Sequence, residues 1–464
     1  MPVDTLHDQY RAHLEQWQRC RDAIAGSDAV QAAGETYLPK LGGQDATEYD
    51  AYKTRATYYN ASARTLQALV GALFRKPPTV AWPEGLADHL DDITQTGLSL
   101  PAFALLVATQ TLTTGRYGVL VEYPAPGSAP GSRPRWVGYP AEAICHWRTR
   151  RVGEATVLSL VVLYEEVEDD DPADPFVPLV VPQYRVLSLD EANFYRVDLW
   201  RGVERTTDDG QTVTTWQVVE TLEPDFRGER LDYIPFRFFP DGPEVSKPPL
   251  LDLVDLNLSH YRSSADLEHG RHFCGLPTPW VAGFDPDTEL RIGSSVAWVS
   301  TDVNAKAGML EFTGQGLGAL EKALQEKEAK MAAIGARLLE EPKREAETAE
   351  TTRLRQSGEA SVLQTFGQRL SEGLTACAAW HVAWLGSDPD PVSLALNADF
   401  ASLPMGAPEL TALWAVYLGG GMSFETWYHN LTRGELTRPD VDAETERALI
   451  EAQRPAPPSL GEEE

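Results

Sequence analysis

The stretch KPPLLDLVDLNLSHYRSSADLEHGRHF, Lys247 to Phe273, organises the chain. Pro248 and Pro249 block a helix upstream, because proline lacks a backbone N–H and pushes the preceding residue out of helical geometry. Leu250, Leu253, Val254, Leu256 and Tyr261 then give a broad apolar helical face, with no breaker before Gly270. A short non-helical insert follows over 276–316, and its runs PTPWVAGF, SSVAWVST and MLEFTG read as three short strands. A second helix is expected from Leu317, with Leu317, Leu320, Leu324, Met331, Ile334 and Leu338 on one packing seam. The charged run EEPKREAETAETTRLRQSGEA (340–360) interrupts it, and a long third helix carries Leu363, Phe366, Leu370, Leu374, Cys377, Trp380 and Trp384.

Working outward, 464 residues exceed one ordinary compact core, so two or more domains are expected. Twelve Trp, 16 Tyr and 14 Phe in a chain that is 42% hydrophobic argue for a packed protein rather than a disordered one. The formal charge of −29 argues against a protein that wraps DNA. Tight phosphate binding needs a basic surface, and this one repels phosphate. A conduit that must not hold DNA is compatible with an acidic wall.

Cys20, Cys145, Cys274 and Cys377 stand far apart, without the C-x-x-C spacing of zinc or redox sites, and read as reduced core thiols. The polar start MPVDTLHDQYRAHLEQW lacks the apolar core of a signal peptide. No apolar run approaches the roughly 20 residues of a membrane helix. A soluble protein made in a cytoplasm, with no membrane partner, is therefore expected.

Before the organising stretch, residues 4–25 read as an amphipathic helix, and EYDAYKTRATYYNASARTLQALVGALFRK (48–76) as one further helix. LADHLDDI and SLPAFALLVATQTLTTG add two more, the latter with Ser99 and Pro101 at its start. From Gly115 the period changes to that of strands. RYGVLVEYP, RPRWVGYP, TVLSLVVLYEEVE, QYRVLSLD, NFYRVDLWRG and TVTTWQVVE predict a mixed or antiparallel sheet region ending near IPFRFF. Asp169 to Asp171 read as a solvated turn in this region. After Trp384, SLALNADF predicts a strand, Gly419–Gly421 joins two helices, and the tail QRPAPPSLGEEE is expected to be disordered.

Chemistry-bearing patterns are sparse. Gly314-x-Gly316-x-x-Ala319 has the form of a dinucleotide fingerprint, in which glycines admit a pyrophosphate to a helix N-terminus. No second parallel strand with an acidic end follows it, so the glycines read more simply as the turn into a helix. His260, Asp266, His269 and His272 share one helix, yet three-residue steps drift around it and no other segment completes a metal set. There is no P-loop, no G-x-S-x-G elbow and no H-E-x-x-H. No catalytic, cofactor or metal residue is therefore expected. The charged run is a different matter. Glu340, Glu341, Glu345, Glu347 and Glu350 alternate with Lys343, Arg344, Arg353 and Arg355 between two apolar-seamed helices. That position predicts an exposed polar loop on a rigid scaffold, the kind of loop that meets a passing ligand.

In this order the chain resembles the portal proteins of tailed bacteriophages, and more closely a portal-like family long described as a domain of unknown function. The resemblance rests on YNASARTLQALVGALFRKPP (59–78), LTTGRYGVLVEYP (112–124), YIPFRFF (233–239), PPLLDLVDLNLSHYRSSADLEHGRH (248–272) and MAAIGARLL (331–339), and spans roughly 50–385. It implies an α+β, non-enzymatic head–tail connector that forms a ring, usually a dodecamer, at one capsid vertex of the virion. DNA packaging and DNA ejection would run through its channel. Residues 1–250 would be the wing, helical over 1–114 and β-rich over 115–245. Residues 251–275 and 317–337 would be stem helices, 276–316 a clip, and 338–357 a tunnel loop facing DNA. The long wing helix would span 358–386, where Ser357-Gly358-Glu359-Ala360 matches the family's entry step. A short C-terminal wing or crown would occupy 387–452 before the tail at 453–464. Implied partners are other copies of the chain, the large terminase, the major capsid or scaffold protein, and a head–tail adaptor. The virion would be the destination and the host cytoplasm the place of synthesis. A nucleotide-binding enzyme using Gly314–Ala319 and another capsid-associated structural protein stand as alternatives.

Overall fold

Capping residues set where the first helices begin. In the computed structural model, residues 2–124, 127–129, 131–169, 176, 178–206, 212–226, 228–275, 278–285, 297–310, 314, 316–336, 349–397, 407–434, 436–438 and 441–453 are described. Helix α1 (Asp8–Ala25) starts at His7, whose ring accepts the N–H of Gln9, and buries Tyr10, Trp17, Cys20 and Ala23. It is followed by α2 (Ser27–Ala32) and by α3 (Ala46–Arg55), which opens on a reciprocal Asp45–Glu48 capping box. Asn60 caps α4 (Ala61–Leu73). The single helix expected over 48–76 is thus two, broken over 56–60. The break is stabilised because the N–H groups it frees find side-chain acceptors, one of them remote in sequence. Strand β1 (Thr79–Ala81) follows, and LADHLDDI forms part of a 3₁₀ turn at Glu84–Leu90 instead of an α-helix. Helix α5 (Leu100–Thr114) begins at Ser99 with proline in its first turn, as its sequence predicts.

The β-rich part holds two main sheets. Strands β2 (Tyr117–Glu122), β3 (Arg135–Pro140), β4 (Ile144–Val152), β5 (Ala155–Asp169), β6 (Leu179–Leu189), β7 (Tyr195–Thr206) and β8 (Thr212–Leu222) run in succession. The two-residue pair β9 (Asp225–Phe226) and β10 (Glu229–Arg230) leads to β11 (Phe236–Phe239). One antiparallel sheet has the order β11-β2-β3, the other is a meander β4-β5-β6-β7-β8. Strand β4, ICHWRTRRV, is absent from the sequence reading because Arg148, Arg150 and Arg151 break its apolar alternation. Asp169 ends β5 and pairs with Arg201 at 3.0 Å, so it is not part of a free solvated turn; Asp170 and Asp171 lie outside the described residues. Where the sheets meet, the buried Arg116 guanidinium stacks on Trp147 at 4.0 Å and Phe238 at 4.3 Å, and burial pulls its pKa down to about 9.

The organising stretch forms α6 (Leu251–Gly275). A hairpin of β12 (Thr278–Ala282) and β13 (Lys306–Leu310) leads into α7 (Leu317–Met331), which continues as a π-helical turn over Ala332–Ala336. Three strands are expected in this insert; among the described residues there are two, and Ala297–Ser300 of SSVAWVST is irregular. Helix α8 (Ala349–Trp384) begins well before the expected 358. Its early segment AETTRLRQS has neither proline nor glycine, so nothing in it stops helix propagation. Strand β14 (Ser393–Ala395) pairs with β1.

The described residues divide into two units. The larger contains those up to 345 together with Phe366–Asn397. In it, α8 packs through Leu370, Leu374, Cys377, Ala378 and Val382, all buried. Gly373 lies under the Phe239 ring, where an added Cβ would come within 2.5 Å of it. The smaller unit contains residues 346–365 and those from 398 onward. Helices α9 (Ala407–Leu418) and α10 (Phe424–Arg433) share an aromatic cluster in which Tyr417 stacks on Trp427 at 5.0 Å. Helix α11 (Ala443–Ala452), unread in the sequence, is tied to α10 by Arg447–Glu425 at 3.3 Å. The chain is α+β, and among the described residues no helix is long and apolar enough to cross a membrane.

Candidate functional site: the paired helices and the segment that follows

Helices α6 and α7 form an antiparallel pair with the β12–β13 hairpin between them. Lys327 Nζ donates to the Ser259 carbonyl at 2.9 Å and to Ser263 Oγ at 2.6 Å. His260 Nε2 lies 3.1 Å from Glu328 Oε1, and Arg271 bridges to Glu321 at 2.8 Å. Leu317 packs over Gly270, where a Cβ would meet its methyl at 2.6 Å. Partial burial and the Arg262 charge pull the Lys327 pKa down. The pairing is polar along its length, with apolar contacts at intervals.

The expected seam is only partly present. Leu324 and Met331 are buried, Leu317 and Leu320 are half-buried, and Ile334 is 56% exposed. Ile334 departs because it lies in the π-helical turn, whose wider i→i+5 spacing rotates residues off a seam set by i+3 and i+4 steps. Leu338 lies outside the described residues.

The other flank of α6 is tied to the N-terminal helices. Asn257, fully buried, accepts from the N–H groups of Ala61 and Ser62 at 3.1 Å and from Ser62 Oγ at 3.0 Å. Its Nδ2 donates to the Tyr59 carbonyl at 2.7 Å. Tyr52 donates to Asp266 at 2.6 Å, and Arg19 pairs with Asp255 at 3.1 Å. Sequence reasoning missed the Asn257 lock. The signal available was an asparagine between Val254 and Tyr261 on the buried face of the helix, together with the capping motif YNAS.

The histidines of α6 do not converge. His260 faces Glu328, His272 lies 3.2 Å from the Arg55 guanidinium, and His269 stacks edge-on against Tyr52. Burial and the Arg55 charge lower the His269 pKa. Among the described residues no three His, Cys, Asp or Glu side chains are placed to hold a metal ion. The Gly314 turn is closed: its φ is +66°, Leu317 N–H donates to its carbonyl at 3.0 Å, and Cys274 Sγ packs against it. Gly316 precedes α7 without a side-chain cap.

Of the expected loop, Glu340, Glu341, Lys343, Arg344, Glu345 and Glu347 lie outside the described residues. Glu350, Arg353 and Arg355 fall within α8, so those three positions are helical and not loop. They stand on the part of the helix that belongs to the smaller unit.

Residues 249–385 match the family model described as a domain of unknown function, DUF4055. No curated protein matches the chain. Among solved structures, the chain is similar to one in "Virion of native gene transfer agent (GTA) particle", at 14% identity and TM-score 0.39, covering 87% of this chain and 98% of that one. It is similar also to one in "Neck of empty GTA particle computed with C6 symmetry", at 13% identity and TM-score 0.40, covering 84% and 95% respectively. A third, in "Neck of native GTA particle computed with C12 symmetry", has 14% identity, TM-score 0.39 and coverages of 80% and 89%. At these identities and superpositions the likeness assigns neither a shared fold nor a shared role. The family match covers the paired helices, the hairpin between them and α8 up to its end.

Proposed function

We propose that this chain is the non-enzymatic subunit of a phage portal ring, a DNA channel at one capsid vertex of the virion. The observation that carries the reading is the antiparallel α6–α7 pair with a β-hairpin at its far end, followed by a charged segment and a long helix. In that reading the paired helices are the stem and the hairpin is the clip, docking the packaging motor and later the neck proteins. The segment from 338, with Lys343, Arg344 and the Glu residues around them, faces passing DNA. The charge of −29 supports it on physical grounds, since like charges in a narrow channel repel DNA and keep it from sticking. At Gly314 itself, Leu317 and Cys274 lie in van der Waals contact range, which fits a turn that packs against the helix pair.

The test pairs two readouts on the full chain. Negative-stain images should contain rings with a central hole, and titration with ATP or a nicotinamide dinucleotide should give no saturable signal. Saturable nucleotide binding by a particle without a hole would replace this reading with the enzyme one.

A further inference from the structure

Where the three-stranded sheet meets the five-stranded one, a cavity of about 320 Å³ carries a charge balance opposite to that of the chain. The chain holds 69 Asp and Glu against 40 Lys and Arg, yet this cavity is lined by Arg133, Arg135 and Arg185 with Glu122 as its one carboxylate. Glu122 ends β2 directly across from Arg135, the first residue of β3. Its two oxygens are both taken, one by Arg135 Nε and the other by Arg185 Nη1 at 2.8 Å. Arg185 Nε goes to Glu165 at 2.7 Å. Arg133 gives Nη2 to the Asp92 backbone carbonyl at 2.8 Å. The Asp92 carboxylate is already engaged by the N–H groups of Thr96 and Gly97.

Donors therefore remain. Among the described residues, both Nη atoms of Arg135, Nη2 of Arg185 and Nη1 of Arg133 have no hydrogen-bond partner. The remaining wall is largely apolar, with Leu120, Tyr195 and Val197 buried. A planar guanidinium fork beside an apolar wall selects an oxyanion attached to an apolar body. The volume is at the small end of ligand sites, which bounds the body to about one ring or a short acyl group.

We infer that this cavity binds a small organic oxyanion, a carboxylate or a phosphate ester on an apolar body, held by Arg133 and Arg135. The site is independent of the ring reading. Arg185 orients Glu122 and so holds the Arg135 fork in place. It is a positioning residue.

Calorimetric titration of the full chain with phenyl phosphate, benzoate, inorganic phosphate and phenol tests it. One of the two aryl anions should bind saturably at one site per chain, at least tenfold more tightly than inorganic phosphate or phenol. Phenyl phosphate as the tighter of the two identifies a phosphate ester as the natural class; benzoate as the tighter identifies a carboxylate. Arg133→Gln and Arg135→Gln should each weaken that binding at least tenfold without lowering the melting temperature. Absence of saturable binding to the wild-type chain overturns the inference, as does phenol binding as tightly as the anions. So does undiminished binding in both variants.

Discussion

Asn257, in the first half of α6, caps a helix nearly two hundred positions away in sequence: its Oδ1 accepts from Ser62 Oγ at 3.0 Å and from the N–H of Ser62 at 3.1 Å. The same oxygen takes the N–H of Ala61, and both Asn257 and Ser62 are fully buried. One side chain thus satisfies two of the orphan donors of α4 and fixes that helix against the paired-helix element. Replacing Asn257 with Leu leaves buried donors unpaired, each costing on the order of 1–3 kcal/mol. Chemical denaturation should show a loss of about 2–4 kcal/mol for Asn257→Leu. Ser62→Ala removes one bond only and should lose about 1 kcal/mol. Equal stabilities for Asn257→Leu and wild type would show that the cap contributes nothing.

Acid should destabilise the larger unit through His381. This residue is fully buried on α8, with Nε2 3.0 Å from His89 Nδ1. Burial, the His89 ring and the Arg133 charge pull its pKa down to about 3, from an ordinary 6.5. His89 is also lowered, by burial and Arg133, with Asp88 opposing. Below pH 6.5 the unfolded chain takes up a proton that the folded chain refuses, so stability falls as pH falls and the loss ends near pH 3. The slope from this one group is at most about 1.4 kcal/mol per pH unit. Urea midpoints measured from pH 7 to pH 4 should drop more steeply for wild type than for His381→Leu. Parallel profiles would remove His381 as the cause.

Two positions of the expected seam should behave differently. Leu324 is buried against α6, so Leu324→Asp places an unpaired charge there and should destabilise by about 3 kcal/mol. Ile334 is exposed, so Ile334→Asp should change the stability of the isolated chain by no more than about 0.5 kcal/mol. Thermal melts of the two variants decide the matter, and equal losses would mean that the π-helical turn does not rotate Ile334 off the seam.

In the portal reading the basic residues of the charged segment touch DNA only in transit. Substituting Lys343, Arg344, Arg353 and Arg355 together with Gln should leave particle assembly unchanged and alter DNA packaging or retention in an infection assay. Loss of assembly would instead assign those residues to a subunit interface.

Helix α5 was legible because apolar spacing coincides with a start signal at Ser99 and Pro101, and the body of α8 was legible from the spacing of Leu370, Leu374 and Cys377. Most strands were legible from runs of Val, Leu, Tyr and Trp. Strand β4 was not, because its arginines hide the alternation, and β1 was not, because three residues give no period. The break between α3 and α4 was invisible for a different reason. Local propensity favours one helix, and the remote Asn257 side chain stabilises the interruption. The π-helical displacement of Ile334 is of the same kind, since a hydrophobic seam is read on the assumption of a uniform turn. The arginine-lined cavity was wholly out of reach, because β2, β3 and β6 bring its charges together from distant positions.

The central claim is a closed ring of copies around a channel, and the mass of the purified particle tests it most directly. Native mass spectrometry of the full chain should give an integral multiple of 51.1 kDa near twelve copies, with no even ladder of smaller species. A monomer or a simple dimer as the final assembled form would contradict the account.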